Sequence, residues 1–382
     1  FIGNLSKDNM EKINYFFRSE NTILAKSIIE SFLRNFQTPI HFILYFSQIR
    51  NEQEFVELFE KYNYKDYEFW IKGKTNITEW MWFMKYYVKH PLILLHLSDL
   101  KLLDITLMYR LYHFSASNLI LHCELCYYYA YVMNHVKYKL GWVCWGNIPT
   151  ISRFKMPFLK NYIINSFVKK CTKILCLSLA DERIIKERFS IHSTVFCPYL
   201  ENFGKTNIPI RTENKILVGN SLYYMDTYLD VAKSLNQFSS LDITFLCAYG
   251  PKECYEENKR KIRNILSKSK VQFWEDKVNF NKYIERIRTY SVYICNVKRQ
   301  TGIGACNACI DNGIKLYLTG GNYEHYTKLG IKVYDFHEQL SEDNFFELSN
   351  EVAEKNRSIL RQIYGKEMFI KRYTDAIKSF QD

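Results

Sequence analysis

Short apolar runs alternate with longer amphipathic stretches along the first half of the chain. Apolar runs bounded by polar residues are typical of buried strands, and apolar positions three or four residues apart are typical of helices. This pattern predicts strands at 13–17, 40–46, 67–72, 92–97, 117–121, 142–145 and 173–178, and helices at 25–36, 78–89 and 157–171. Alternating strands and helices indicate a parallel sheet that is covered by helices.

The second half repeats this alternation with greater regularity. It predicts strands at 215–218, 242–247, 271–274, 292–295 and 315–318, and helices at 227–237, 253–268, 281–290 and 304–312. Two further helices are predicted between residues 344 and 380. A second Rossmann-like domain is therefore expected.

The stretch 201–214 separates the two halves, because it is rich in Asn, Gly, Thr, Pro and Arg and has little apolar periodicity. We predict an N-terminal domain over 1–205 and a C-terminal domain over 206–382. The last helix is assigned to the second domain, with packing on the first as the alternative. Two Rossmann-like domains of this kind are typical of the GT-B glycosyltransferase fold, but also of periplasmic binding proteins and some dehydrogenases, so the fold alone assigns no function.

Composition narrows the choice of ligands only slightly. The formal net charge of +12 predicts an anionic partner: nucleotide phosphates, nucleic acid or an acidic membrane surface. The 11 cysteines form no paired zinc-binding spacing, and most lie in apolar stretches, which favours buried thiols in a reducing cytosol.

No uninterrupted apolar run is long enough to span a membrane. Residues 80–87 are apolar nearly all round, which favours burial in the core over a position at a lipid interface.

Gly219, Asn220 and Ser221 follow a predicted strand and precede a predicted helix. Small residues at such a turn leave backbone N–H groups available, and the positive end of the helix dipole favours a phosphate there. The segment lacks a complete dinucleotide or P-loop motif, so an ordinary strand-to-helix turn remains the alternative.

A second turn of the same type adds positive charge. Residues 296–304 place Lys298 and Arg299 before Gly302, Ile303 and Gly304. The two cations can offset the charge of a diphosphate, and glycines allow close approach of the backbone to a ligand. We therefore predict a phosphate site built from both turns, with loop cations in contact with solvent as the alternative.

In the first half, His122 and Glu124 follow a short apolar strand. Either side chain could take a proton from a sugar hydroxyl, which is the role of a general base. A histidine that is hydrogen-bonded in the core, beside a surface glutamate, is the alternative. Asp181, at a third predicted strand end, is a candidate for the same cleft or for a helix N-cap.

Taken together, these segments resemble the bacterial 4-acetamido-4,6-dideoxygalactose (Fuc4NAc) transferases of glycosyltransferase family 56 over roughly residues 117–337. The matching residues lie at 216–221, 245–250, 280–283, 296–304 and 313–318, followed by Asn322. The first half matches at His122, Trp145, Gly146 and Asp181. The family's Trp-Gly-Ala-Asp motif is represented here by Trp145, Gly146 and Asn147, so one acid is missing and the donor sugar is left open.

The resemblance implies a GT-B fold and an inverting transfer of a TDP- or UDP-linked sugar, such as Fuc4NAc, to a polyprenyl-diphosphate-linked saccharide. By resemblance, the donor site comprises Gly219, Asn220, Ser221, Tyr249, Asn296, Lys298, Arg299, Gln300, Gly302, Ile303, Gly304 and Asn322. No metal or other cofactor is expected, because no Asp-x-Asp motif ends a strand. The expected partners are the nucleotide sugar, a lipid-linked or glycan acceptor and the anionic inner face of the bacterial cytoplasmic membrane.

Three alternatives stay open. One is a GT-B transferase with another donor sugar or an acceptor without a lipid. Another is a sugar- or nucleotide-binding module without catalysis. The third is a basic nucleic-acid-binding protein, although the charges are dispersed and no RNP-like or helix-turn-helix pattern stands out.

Overall fold

A computed structural model describes residues 12–18, 22–36, 40–46, 52–72, 75–89, 104–122, 127–144, 158–201, 203, 207–209, 214–238, 240–248, 250, 255–341 and 344–381. The chain divides into two compact units. The first comprises Phe1–Leu177, Asp181–Leu200 and Phe369–Asp382, and the second comprises Ser178–Ala180 and Glu201–Met368.

The first unit contains a parallel sheet of seven strands in the order β3-β2-β1-β4-β5-β6-β7. The strands are β1 (Ile13–Arg18), β2 (Ile40–Phe46), β3 (Tyr67–Ile71), β4 (Asn118–His122), β5 (Lys139–Cys144), β6 (Lys173–Cys176) and β7 (Thr194–Phe196). The helices between them are α1 (Thr22–Asn35), α2 (Glu52–Lys61), α3 (Ile77–Lys89), α4 (Ile105–Tyr112), α5 (Tyr127–Met133), α6 (Phe158–Lys170) and α7 (Leu179–Phe189).

Apolar clusters cover both faces of this sheet, which is why its central strands are apolar at nearly every position. One cluster includes Phe369, Tyr373 and Phe380 of the last helix together with residues of β1, β2 and α1. The rings of Phe32 and Tyr373 meet edge to face with centroids 5.1 Å apart. The C-terminal helix therefore completes the core of the first unit.

The second unit contains a parallel sheet of six strands in the order β10-β9-β8-β11-β12-β13. Its strands are β8 (Lys215–Val218), β9 (Asp242–Leu246), β10 (Lys270–Trp274), β11 (Val292–Cys295), β12 (Lys315–Leu318) and β13 (Tyr334–Asp335). A short 3-10 helix (Leu222–Tyr224) leads into α8 (Met225–Leu235), followed by α9 (Tyr255–Ile265), α10 (Phe280–Ile287), α11 (Ile303–Asp311), α12 (Gly320–Lys328), α13 (Asn350–Tyr364) and α14 (Lys366–Gln381), of which residues from Phe369 belong to the first unit.

An ion-pair cluster anchors α11 against α13. Asp311, at the end of α11, lies 2.6 Å from Nε of Arg361 and 3.3 Å from Nε of Arg357. Asp311 and Arg357 are both buried. Because removing one partner of a buried ion pair leaves an uncompensated charge, loss of Asp311 alone would destabilise the packing of α11 on α13.

Two apolar stretches of the first unit were predicted to be buried, at 92–97 and at 80–87. The predicted strand at 92–97 lies outside the described residues. The expected burial of residues 80–87 is wrong in part: Phe83 and Tyr86 are buried, but Trp80, Met81 and Met84 are exposed. The eight cysteines in the described ranges are buried and none of them forms a disulfide, as expected. None of the helices in that part of the chain combines the length and apolar character that crossing a bilayer requires.

Candidate functional site

The sheet of the second unit has a switch point between β8 and β11, where the strand order reverses direction. In open parallel sheets, ligands bind at such a point beyond the carboxyl ends of the strands. The two strands pair with Ile294 opposite Val218, and the Gly219 N–H donates a hydrogen bond of 2.8 Å to the Ile294 carbonyl. The two predicted phosphate turns, one after β8 and one after β11, therefore lie side by side.

Each of these turns contains a glycine that a larger residue could not replace. Gly219 and Gly302 have φ angles of +77° and +63°, which side chains with a Cβ adopt only at a cost. A Cβ at Gly219 would lie 2.0 Å from the Tyr228 ring, and one at Gly302 would lie 2.8 Å from Cγ of Asn220. Glycine is thus required at Gly302 for the two turns to meet, and at Gly219 for the turn after β8 to pack against Tyr228 of α8.

Gly302 is also the N-cap of α11, and it offers no side chain to that helix end. Intrahelical bonding begins with the Cys306 N–H, which donates to the Gly302 carbonyl at 3.0 Å. The N–H groups of Ile303, Gly304 and Ala305 consequently have no acceptor within the helix. Gly304 is exposed, and a Cβ there would meet no atom of the described residues within 4 Å, so the first turn of α11 is accessible at this position.

Arg299, four residues before the start of α11, is held by Tyr224. Its Nε donates a hydrogen bond to the Tyr224 hydroxyl, and its guanidinium lies 5.2 Å from the centroid of the same ring. A cation over an aromatic face is stabilised by the ring quadrupole, so Tyr224 fixes the guanidinium in two ways. Lys298 is exposed next to it. The turn after β11 therefore presents two cations and a helix N-terminus, a combination suited to a diphosphate.

Asn322 was predicted to bind the donor, but the structure gives it a different position. Its side chain is fully buried: Oδ1 accepts a hydrogen bond of 3.1 Å from the Thr301 N–H, and Nδ2 donates one of 2.7 Å to the Thr301 carbonyl. Asn296 is half-buried, and its Oδ1 accepts a hydrogen bond of 3.2 Å from Thr319. Both amides hold the loop in place, and Asn322 is a positioning residue.

Two further glycines support the loop from below, and sequence reasoning did not single them out. Gly320 has a φ of +53°, and a Cβ there would lie 2.2 Å from the Lys298 carbonyl oxygen. A Cβ at Gly321 would lie 2.7 Å from the Gln300 nitrogen, and the Gly321 N–H donates to the Lys298 carbonyl at 3.0 Å. The sequence feature that could have identified them is a Gly-Gly pair one residue after the predicted strand at 315–318. Tyr224, the partner of Arg299, carried no local signal.

The other predicted donor residues are placed as follows. Ser221 is buried at the start of the 3-10 helix, while Gln300 and Ile303 are half-buried in the turn. Tyr249 lies outside the described residues, as do Glu124, Trp145, Gly146 and Asn147. Asp181 is buried in the first turn of α7, so it is not the N-cap of that helix.

His122 ends β4 in the first unit, but its ring points into the core. It is 1% exposed, with Nε2 2.6 Å from the Tyr199 hydroxyl and Nδ1 3.2 Å from the Tyr15 hydroxyl. Its ring also stacks on Phe17 at 4.6 Å. Burial lowers the pKa of His122 to about 3, because the charged form loses its hydration. A base must reach the proton that it abstracts, so the predicted role of general base does not fit this environment.

No cluster of three or more His, Cys, Asp or Glu side chains suited to a metal ion occurs within the described residues. The expectation of metal independence rests on the sequence alone and stays a prediction.

Comparisons with known proteins identify the fold. No protein-family model matches the sequence, and no curated protein is significantly similar to it. Among solved structures, sucrose-phosphate synthase from Thermosynechococcus elongatus aligns with a TM-score of 0.65 at 8% identity, covering 96% of this chain and 98% of that one. A glycosyltransferase from Rickettsia africae aligns with a TM-score of 0.60 at 11% identity, covering 97% and 99%.

A UDP-GlcNAc 2-epimerase from Neisseria meningitidis, bound to UDP-GlcNAc, aligns less closely, with a TM-score of 0.51 at 10% identity over 96% and 99% of the two chains. The full-length alignments and the two parallel sheets confirm the predicted GT-B fold. At these sequence identities the similarity establishes the fold alone, so the reaction must be inferred from the residues of the site.

Proposed function

We propose that this protein is a glycosyltransferase that takes a sugar from a nucleoside diphosphate bound at the switch point of the second unit. The observation that carries the proposal is the turn after β11: it meets the turn after β8 at Gly302, α11 begins there, and Arg299, three residues earlier, is held by Tyr224. Positive charge and backbone N–H groups thus occur together in one short segment at the switch point.

The proposed chemistry follows from this arrangement. As the bond between the sugar and the diphosphate breaks, negative charge grows on the leaving group. Arg299, Lys298 and the N–H groups at the start of α11 are placed to stabilise that charge, and fixed donors of this kind lower the barrier most. The burial of His122 argues against this residue as the general base that takes the proton of the acceptor hydroxyl. Glu124 remains the proposed alternative.

The finer identity of the substrates rests on the resemblance to family 56. We propose a TDP- or UDP-linked deoxy-amino sugar such as Fuc4NAc as donor, and a polyprenyl-diphosphate-linked saccharide as acceptor at the cytoplasmic membrane surface. The net charge of +12 supports an anionic donor and an anionic lipid acceptor.

The donor class can be tested by thermal unfolding with a panel of TDP, UDP, GDP and CMP compounds. A ligand at about 100 times its Kd stabilises the folded state by roughly 2.7 kcal/mol, so the preferred nucleotide gives a clear rise in Tm. Product analysis with the matching nucleotide sugar then separates transfer from epimerisation, since 2-epimerases share the fold.

Arg299→Ala tests the role of the site. We expect kcat/KM for the donor to fall by about 10²- to 10³-fold, the usual effect of removing a group that stabilises transition-state charge. Arg260→Ala, an exposed arginine on α9, is the matched control and should leave turnover unchanged. Equal turnover in wild type and Arg299→Ala would show that the diphosphate binds elsewhere.

A further inference from the structure

The first unit exposes an apolar surface on a single helix. Among the described residues, seven large apolar side chains are exposed, and five of them lie on α3. Their exposed fractions are 78% for Ile77, 47% for Trp80, 55% for Met81, 52% for Met84 and 74% for Val88. Contiguous exposed apolar side chains are rare on soluble proteins and mark interaction surfaces.

The orientation of α3 is fixed by its inner face. Asn76 and Glu79 form a reciprocal capping box, with N–H to side-chain oxygen distances of 3.0 and 2.9 Å. Glu79 is buried and also accepts a hydrogen bond of 2.9 Å from Thr106 of α4. Phe83 and Tyr86 lie in the core of the unit. The exposed side chains therefore sit on a helix that is anchored at its start and along its inner face.

The exposed face carries positive charge and no carboxylate. Ile77, Met81, Met84 and Val88 follow one another at spacings of four, three and four residues, which places them in a single line along the helix. The other exposed residues of α3 are Thr78, Trp80, Lys85 and Lys89, and the one acid of the helix, Glu79, points inward. This surface, the α3 face, is thus apolar and cationic.

Anionic lipid is the partner that matches the α3 face. Apolar side chains of an interfacial helix insert at the boundary between headgroups and acyl chains, Trp favours the same depth, and lysines reach the phosphates. A second copy of the chain matches less well, because pairing the same face would bring lysines together with no acid to neutralise them.

We propose that α3 docks the protein on an anionic membrane surface through the α3 face. Met81, Met84 and Val88 enter the headgroup boundary, and Lys85 and Lys89 contact lipid phosphates. The inference does not depend on the proposed transferase activity, because the α3 face and the donor turns belong to different units.

The test is co-sedimentation with vesicles of phosphatidylcholine, pure or containing about one third phosphatidylglycerol. Wild type should bind the mixed vesicles and bind the neutral ones weakly. The double variant Met81→Ser/Met84→Ser should lower the partition coefficient by about 100-fold, because two apolar side chains no longer leave water. Lys85→Gln/Lys89→Gln should lower it by about 10-fold on the mixed vesicles alone.

Tyr162→Ser, which alters an exposed aromatic side chain on α6, is the matched control and should bind like wild type. A far-UV circular dichroism spectrum and a Tm of the free protein equal to those of wild type will show that the fold of each variant is intact. The proposal is overturned if the α3 variants bind like wild type, or if Tyr162→Ser loses as much binding as they do. It is also overturned if the α3 variants change only the sedimentation coefficient of a dimer, which would assign the α3 face to a second copy.

Discussion

The two sheets share one strand order around their switch points, but they use those points differently. In the first unit, β1 and β4 pair side by side, and the rings of Tyr15, Phe17 and His122 pack together near the ends of these strands. The centroid of the His122 ring lies 4.6 Å from that of Phe17 and 5.7 Å from that of Tyr15. In the second unit, β8 and β11 lead into turns that meet where Gly302 approaches Asn220, and Gly304 in the first turn of α11 is exposed.

Topology therefore supplies the place for a ligand in both sheets, and the size of the side chains at the strand ends decides whether a ligand can occupy that place. Large rings in the first unit turn the end of β4 into core. Residues without a Cβ in the second unit leave room for a helix N-terminus and two cations.

Gly219→Ala should give the largest effect. The new Cβ would overlap the Tyr228 ring, whose hydroxyl is fixed by a 2.6 Å hydrogen bond to the Leu246 carbonyl. Overpacking together with a positive φ should lower the free energy of unfolding by about 3 kcal/mol. Denaturant unfolding of the variant measures this loss directly. A variant as stable as wild type would mean that the turn after β8 is not held against Tyr228.

His122→Phe tests the other side of the comparison. The ring volume is kept, but the hydroxyls of Tyr15 and Tyr199 lose a partner, so we expect a loss of about 2 kcal/mol in stability and no change in kcat. A loss of kcat by 10²-fold or more with unchanged stability would instead restore His122 as a general base.

The same variant has a predictable pH dependence. The pKa of His122 is lowered to about 3 in the folded state, so below about pH 6.5 the unfolded chain binds a proton that the folded chain does not. This histidine therefore lowers wild-type stability as pH falls, by up to about 1.4 kcal/mol per unit. Phenylalanine has no such term, so the stability gap between variant and wild type should shrink as the pH is lowered from 6.5 to 5.

Tyr224→Phe should give the smallest effect. The ring under Arg299 stays, but the hydroxyl that accepts from Nε is lost. The loss of about 1 kcal/mol corresponds to roughly 5-fold weaker binding of the nucleoside diphosphate, which calorimetric titration can resolve. Tyr223→Phe, at an exposed neighbour, is the control. Equal affinities in the two variants would show that Tyr224 does not position Arg299.

Sequence patterns predicted the second unit well, because most of its strands and helices have an apolar pattern that is visible within a few consecutive residues. The strands β8, β11 and β12 were predicted with their observed bounds, since each is a short apolar run between polar residues. The helix α2, with Phe55, Leu58 and Phe59 on one buried face, was missed although its spacing is helical. The helix α12 was missed because it opens with Gly320 and Gly321, which are poor helix formers.

The parts of the site that depend on distant residues could not be predicted. Whether the side chain at the end of β4 points outward or inward is decided by Tyr15 and Tyr199, which lie 107 and 77 residues away in sequence. The pairing of Arg299 with Tyr224 spans 75 residues. Likewise, Asn322 was assigned to the donor site by resemblance to family 56, but its hydrogen bonds to the backbone of Thr301 make it a support for the loop.

The most direct test of the central claim is calorimetric titration of the preferred nucleoside diphosphate into wild type and Gly304→Val. The valine side chain would extend from an exposed position in the first turn of α11, where a Cβ meets no atom of the part of the chain that the structure describes within 4 Å. If the diphosphate binds there, affinity should fall by about 100-fold or more while the Tm of the free protein stays the same or rises slightly, because valine suits a helix better than glycine. Equal affinities in the two proteins would contradict a donor site at the start of α11.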